Sequence, residues 1–133
     1  MIPQGVPQDV LEKTYRTYEF MKSMYDFPHF YCTMAAKALE YKGIPHRRGW
    51  FLMDHPVPDT QERKGWKYVR AHHHWSSWGG GDEPGSVPDF IIDITAYQFN
   101  DGLDEKLPEE PLIITPEDPT FQRYVENVLQ SSC

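Results

Sequence analysis

Three kinds of side chain that can act together on a carbonyl group follow one another along the chain: a thiol, imidazoles and a carboxylate. They belong to Cys32, to the consecutive His72, His73 and His74, and to Asp93. In such a set the thiolate attacks, the imidazole takes and returns a proton, and the carboxylate fixes the tautomer and orientation of the imidazole. The order therefore predicts an activated cysteine that transfers acyl groups.

Cys32 stands where a helix is expected to begin. Residues 34–40 are mostly good helix formers, and Gly43 and Pro45 supply a stop signal. At a helix start the unpaired N–H groups and the positive end of the dipole favour a thiolate, and the same N–H groups can stabilise an oxyanion. For a cysteine taken alone, packing as a small apolar side chain is the commoner role, so its partners decide between the two.

The choice among the three histidines depends on the strand that carries them. Alternate residues of a strand face opposite sides, so His73 shares a face with Ala71 and Trp75, whereas His72 and His74 lie on the other face. Small and apolar neighbours mark the inner face. We therefore expect His73 to be the base, with His74 as the second choice.

Asp93 interrupts an apolar run at residues 90–95, which has the length of a strand. Because a buried carboxylate without a partner is strongly unfavourable, Asp93 is expected to face a donor or a polar cleft. Gln98 follows closely and is a further candidate. It either points at the site and its oxyanion, or it satisfies the backbone of a turn.

The first helix is predicted over residues 9–25, with Asp9 as its N-cap. A buried face beginning at Val10 would include the polar Thr14 and Thr17. The apolar face is therefore assigned to a second set of residues at nearly helical spacing, namely Leu11, Tyr15, Tyr18, Met21 and Tyr25.

Later segments rich in aromatic and β-branched residues are predicted to be strands, at 47–53, 66–75, 90–95 and, as an edge strand or an extended wrap, 112–114. The loop at 76–88 contains three consecutive glycines and is either a flexible flap or an insertion without a role. A last helix is predicted from Asp118 as N-cap and Pro119, with an apolar face of Phe121, Tyr124, Val125, Val128 and Leu129. Length and pattern indicate one α+β domain over residues 1–133.

The net charge of the 133-residue chain is −7, so its general field repels polyanions. We expect no nucleic-acid partner, and a cationic or neutral substrate is easier to accommodate. The chain begins without the basic and apolar regions of a signal peptide, and no apolar run has transmembrane length, so we expect a cytoplasmic protein without a membrane partner. Cys32 is expected to be reduced, and a bridge to Cys133 is the alternative.

A metal site is the main rival interpretation of the histidines. His72 and His74 share a strand face, and a third ligand could come from His29, His46 or His55. No carboxylate or cysteine stands at companion spacing, and a histidine-rich strand is often an exposed polar face. We therefore expect neither a metal nor a cofactor.

Three pieces of the sequence form a pattern: Tyr31-Cys32 leading into a helix that ends in Gly43-Ile44-Pro45-His46-Arg47, then His73-His74-Trp75, then Asp93-Ile94-Thr95. In kind and order they resemble the transglutaminase-like superfamily of cysteine enzymes, over about residues 28–99. The resemblance implies a papain-like α+β core, in which the cysteine-led helix packs on a small antiparallel sheet, with N- and C-terminal helices. It implies Cys32 as nucleophile, His73 as base and Asp93 as the orienting acid.

Chemistry and resemblance together favour hydrolysis of an amide in a peptide, an isopeptide or a glutamine side chain, through a thioester on Cys32. If an amine reaches the thioester before water, the same site crosslinks its substrate. A non-catalytic alternative is a protein-binding module that uses Trp50, Trp66, Trp78 and the acidic tail. We expect a protein or peptide substrate, and the sequence leaves the oligomeric state open.

Overall fold

The structure, a computed structural model, describes residues 2–29, 31–57, 60–62, 69–81, 83 and 85–127. In this part of the chain two α-helices and six strands form an α+β fold: α1 (Gln8–Met24), α2 (Cys32–Glu40), β1 (His46–Met53), β2 (Gln61–Glu62), β3 (Val69–Trp78), β4 (Phe90–Asp93), β5 (Leu112–Ile114) and β6 (Tyr124–Glu126). Two 3-10 helices follow β4 and precede β6, at Ala96–Gly102 and Pro119–Arg123. None of the described helices is long and apolar enough to cross a bilayer.

The strands form one antiparallel sheet in the order β5-β4-β3-β1-β6, and β2 pairs with β3 outside this path. The position of β5 confirms the edge strand. β3 extends past the predicted start of a loop at residue 76, because Ser76 and its two successors pair with β4. Residues 63–68, which include Trp66 and the predicted start of this strand, lie outside the described residues.

The two faces of the sheet are covered differently. One face packs against α1 and α2 in a core cluster that includes Val10, Met21, Ala35, Leu39, Phe90 and Ile92. The opposite face carries a second cluster that includes Phe51, Ala71, Trp75, Ile91, Phe99 and Tyr124. Because strand residues alternate, His73 lies on the face of the second cluster, and His72 and His74 lie on the face that carries the helices.

The buried face of α1 differs from the predicted one. The sequence assigned it to Leu11, Tyr15, Tyr18, Met21 and Tyr25, whereas the structure buries Val10, Thr14, Thr17, Tyr18 and Met21. The Thr14 hydroxyl donates to the Val10 carbonyl at 2.7 Å, and Thr17 Oγ1 accepts a hydrogen bond from Lys42 Nζ at 2.6 Å. A hydroxyl whose hydrogen bond is made inside the protein is tolerated in a core, so the two threonines do not exclude this face.

α2 begins at Cys32, as the sequence predicts, and ends at Glu40. The chain turns at Gly43, whose φ of +89° suits glycine, and continues directly into β1. The start of α1 is predicted less well, because its N-cap is Pro7 rather than Asp9. The thiol therefore lies at the first residue of a regular helix.

The predicted C-terminal helix is wrong over the described residues. Asp118 does act as a cap and accepts a hydrogen bond from the Thr120 N–H at 2.9 Å, but the turn that follows is the short 3-10 helix Pro119–Arg123. The chain then forms β6, because the edge of β1 offers backbone donors and acceptors that a strand can pair. The last two residues assigned to that helix, Val128 and Leu129, lie outside the described residues.

One buried arginine fastens the glycine-containing loop. The guanidinium of Arg47 donates to five acceptors: Ser77 Oγ at 2.8 Å, the Ser86 carbonyl at 2.5 Å, Ser86 Oγ at 2.9 Å, the Gly81 carbonyl at 2.9 Å and Glu126 Oε1 at 2.7 Å. In its described residues the loop is therefore hydrogen-bonded to Arg47 of β1, and the same guanidinium pairs with Glu126 of β6. This attachment favours a fixed insertion over a flexible flap.

Candidate active site

The imidazole and the carboxylate that the sequence pairs are in direct contact. His73 on β3 and Asp93 at the end of β4 are both buried, with side-chain exposures of 0% and 2%. His73 Nε2 lies 2.6 Å from Asp93 Oδ2. The structure thus supplies the partner that a carboxylate within an apolar strand requires.

Asp93 has further donors on both oxygens. Its Oδ1 accepts hydrogen bonds from the Thr95 amide at 3.0 Å and the Thr95 hydroxyl at 3.1 Å, and its Oδ2 accepts one from the Tyr124 hydroxyl at 2.6 Å. Burial by itself raises the pKa of Asp93, but the charge of His73 and these hydrogen bonds outweigh burial and lower the pKa. Asp93 is therefore ionised and held in one orientation.

Aromatic rings fix the plane of the His73 imidazole. The ring centroid of Phe99 lies 4.8 Å away and that of Phe51 5.9 Å away, both edge-on, while Trp75 stacks at 5.9 Å. Burial alone would lower the pKa of His73, but the adjacent Asp93 charge, together with Cys32, raises it to about 9. His73 is therefore an imidazolium at neutral pH.

Cys32 is a partly exposed free thiol at the start of α2. Burial raises the pKa of Cys32, but the nearby His73 and the backbone N–H of His74 outweigh burial, so that the pKa lies below the ordinary thiol value. Nε2 of His73 is hydrogen-bonded to Asp93, whereas the buried Nδ1 has no hydrogen-bond partner among the described residues. Nδ1 is thus the ring nitrogen left for the thiol.

The sheet leaves room for the thiol beside His74. β4 pairs with β3 only from Ser76 onward, so next to His74 the β4 side of β3 is open to the start of α2. The His74 amide donates to the sulfur in this gap. The first amides of α2, before that of Ala35, have no acceptor within the helix and can face an oxyanion formed at Cys32.

Gln98 lies in a different cavity from the thiol. Its side chain lines a space of about 340 Å³ together with Pro28 and His29, which precede α2. The side-chain Nε2 of Gln98 is buried without a hydrogen-bond partner in the described part of the chain, whereas the backbone N–H of Gln98 donates to the Thr95 carbonyl at 3.0 Å in a turn. Gln98 thus lies in a turn, and the role of its side chain, toward an oxyanion or toward the backbone, stays a prediction.

The neighbouring histidines have other contacts. His74, the second choice for the base, pairs with His46 across 2.7 Å between Nδ1 and Nε2, and burial followed by nearby positive groups lowers the pKa of His74 to about 4. His72 is exposed, and its ring lies tilted against that of Trp50, with the ring centroids 3.9 Å apart. Within the described residues no three His, Cys, Asp or Glu side chains are grouped as metal ligands.

Two groups at the site are not predicted by the sequence. Tyr124 is predicted to lie on an apolar helix face, yet its hydroxyl donates a hydrogen bond to Asp93. The second group is the backbone N–H of His74, which the residue type does not reveal because every residue except proline has one. Cys133, the other half of the alternative disulfide, lies outside the described residues.

Comparisons with family models, with curated proteins and with solved structures find no significant match to this chain. The functional assignment therefore depends on the geometry of the site.

Proposed function

We propose that this protein is a cysteine-dependent acyl-transfer enzyme that hydrolyses a peptide, isopeptide or glutamine amide through a thioester on Cys32. The observation that carries the proposal is the buried pair of His73 and Asp93, 2.6 Å apart, facing a partly exposed thiol of lowered pKa at a helix start. A cysteine used only for packing needs no such pair, and burial alone would raise its pKa.

In the first half of the reaction the Cys32 thiolate attacks the carbonyl carbon, and the amides at the start of α2 stabilise the oxyanion. The tetrahedral intermediate collapses to a thioester as the C–N bond breaks, and His73 gives its proton to the leaving amine. Asp93 stabilises the imidazolium before this transfer and keeps its hydrogen bond with Nε2 of His73 afterwards.

In the second half a water molecule attacks the thioester. Neutral His73 accepts the proton of that water, the carboxylic acid leaves, and the thiolate and imidazolium are restored. One water is consumed for each amide cleaved, and no further reactant is needed.

The resemblance to the transglutaminase-like superfamily, with its papain-like core, supports the same proposal. The cysteine-led helix ends at the Gly-Ile-Pro segment, Arg47 follows in β1, and the histidine and aspartate occupy the neighbouring strands β3 and β4. This arrangement of a helix and neighbouring strands supports the proposed papain-like core.

The test is selective alkylation. Iodoacetamide at neutral pH should modify Cys32 much faster than Cys133, as read by peptide mass spectrometry, and His73→Ala should slow the reaction at Cys32. His55→Ala, which changes an exposed histidine beside Asp104, is the matched control and should leave the rate unchanged. Equal reactivity of the two cysteines, insensitive to His73→Ala, would refute the activated thiol.

A further inference from the structure

An open stretch of the sheet carries aromatic and cationic side chains on the face that α2 only partly covers. Trp50 of β1 lies with its ring 3.9 Å from the ring of His72 and 3.9 Å from the guanidinium carbon of Arg70, both on β3. Arg48 precedes this group on the same face of β1. Arg48 and His72 are exposed, and Trp50 and Arg70 are partly buried. We call these four residues the β1-β3 platform.

The platform adjoins the thiol. Arg48 pairs across the sheet with His74, whose amide donates to the Cys32 sulfur, and Trp50 pairs with His72. Residues two apart on a strand are separated by about 7 Å, so the platform begins one step along β3 from the attacking atom. A polypeptide held at Cys32 in an extended form reaches it within a few residues.

The local charge of the platform is opposite to that of the chain. The net charge of the chain is −7, yet the platform brings together two guanidinium groups, those of Arg48 and Arg70, and the exposed imidazole of His72. In the part of the chain that the structure describes, no acidic side chain forms an ion pair with Arg48, Arg70 or His72. Nε of Arg70 is also buried without a hydrogen-bond acceptor.

We propose that the β1-β3 platform binds an acidic segment of the polypeptide substrate, so that amides a few residues from Asp or Glu side chains are selected. This inference rests on the proposed function. Guanidinium groups bind carboxylates through paired hydrogen bonds, and Trp50 offers an apolar surface to the stems of the same side chains. Against the net negative charge of the chain, the cations of the platform provide a surface that attracts an acidic segment.

The experiment uses three peptides of equal length with a chloroacetyl group on the side chain of a central diaminopropionic acid. The flanking residues are glutamate, lysine or glutamine on both sides, so no binding direction is assumed. The Cys32 thiolate displaces chloride and forms a thioether, which mass spectrometry quantifies. We expect the glutamate peptide to react about tenfold faster than the lysine peptide at low salt, with the ratio shrinking as salt is raised.

The variant that tests the platform is Arg48→Gln with His72→Gln. It should lower the glutamate-to-lysine rate ratio at least threefold. Because both rates are measured on the same protein, the intrinsic reactivity of the thiol cancels in this ratio. Arg16→Gln removes an exposed cation on α1 and should leave the ratio unchanged. A ratio near one in the unmodified protein, or a ratio that survives the double change, would overturn the inference. If an oligonucleotide of matched charge slowed the reaction of the glutamate peptide as much as an unreactive glutamate peptide does, the assignment to a polypeptide would be overturned.

Failure of the platform and failure of the proposed function give different results. A thiol that reacts fast with iodoacetamide in a His73-dependent way, but without preference among the peptides, defeats the platform alone. If the thiol is not activated, binding of a fluorescent glutamate peptide carrying acetyl in place of chloroacetyl is measured on Cys32→Ser by anisotropy. Tighter binding than that of the lysine peptide supports the platform, and equal binding defeats it.

Discussion

The hydroxyl of Tyr124 donates a 2.6 Å hydrogen bond to Oδ2 of Asp93, the same oxygen that holds the imidazole of His73. Tyr124 belongs to β6 at one side of the sheet, whereas Asp93 lies at the end of β4. Burial and the adjacent carboxylate raise the pKa of Tyr124 well above its usual value, so the phenol keeps its proton and remains a donor. The edge strand β6 is therefore part of the candidate active site.

Tyr124→Phe tests this link. The change leaves the ring and removes one hydrogen bond to a buried carboxylate, so we expect the free energy of unfolding to fall by about 2 kcal/mol. The alkylation of Cys32 should also slow, because Asp93 then orients His73 less firmly. Urea unfolding and iodoacetamide kinetics measure the two effects. Tyr41→Phe, at a side chain that is 93% exposed, is the control, and identical behaviour of the two variants would contradict the link.

The pH dependence of alkylation tests the thiolate and imidazolium pair. The pKa of Cys32 is lowered while that of His73 is raised to about 9, so between these two values the thiol has lost its proton and the imidazole has kept one. The alkylation rate should stay nearly level as pH falls from about 9 to the lowered pKa of Cys32, and drop only below that pKa. An ordinary thiol already loses about tenfold in rate per pH unit once the pH is below its pKa of about 8.5.

His73→Ala gives the opposite profile. Burial is then no longer offset by the imidazolium, so the pKa of Cys32 rises and the rate should fall steadily as pH is lowered. Both profiles are best measured from pH 5 to 10 on a Cys133→Ser background, which leaves one thiol. A level profile in His73→Ala would show that the helix start, and not the imidazole, activates Cys32.

Much of the site could be predicted from local pattern. Helix propensity and the stop at Gly43 place Cys32 at a helix start, and strand alternation selects His73 over its two neighbours. Asp93 stands out because a carboxylate inside an apolar strand needs a donor. Each of these features depends on only a few neighbouring residues, so the local sequence is enough to predict it.

The parts that the sequence did not predict depend on partners distant in the chain. Tyr124 and Val125 fit a helix by spacing, but pairing with β1 makes them a strand. Thr14 looked too polar for a core until its own helix supplied an acceptor. The platform could not be predicted from the net charge either, because Arg48 and His72 come close together only through the register of β1 and β3.

Arg47→Met tests how the loop after β3 is held. The change leaves Glu126 and the acceptors of the loop without their common donor, and the loss of one member of a buried ion pair costs about 3 kcal/mol or more. Arg48→Met, at the neighbouring exposed position, should change the free energy of unfolding by less than about 0.5 kcal/mol. Urea unfolding followed by tryptophan fluorescence compares them. Equal stabilities would show that the Arg47 contacts are dispensable.

Gly49→Ala tests whether a change at the sheet edge affects the thiol, while Cys32, His73 and Asp93 stay unchanged. A methyl group at Gly49 would collide with the carbonyl oxygen of Val125 and approach Asn127 N to 2.8 Å. β6 must then move away from β1, at a cost of about 2 kcal/mol, and it takes Tyr124 with it. Alkylation of Cys32 should therefore slow to the level of Tyr124→Phe.

The double variant Gly49→Ala with Tyr124→Phe separates this route from general damage. If the glycine acts through Tyr124, the second change adds little, and the double variant alkylates at nearly the rate of either single one. If the effects multiply, β6 influences the thiol by another path. Circular dichroism of all three variants confirms that the comparison is made on folded protein. The rates thus decide whether the edge strand acts on the thiol through the hydroxyl of Tyr124.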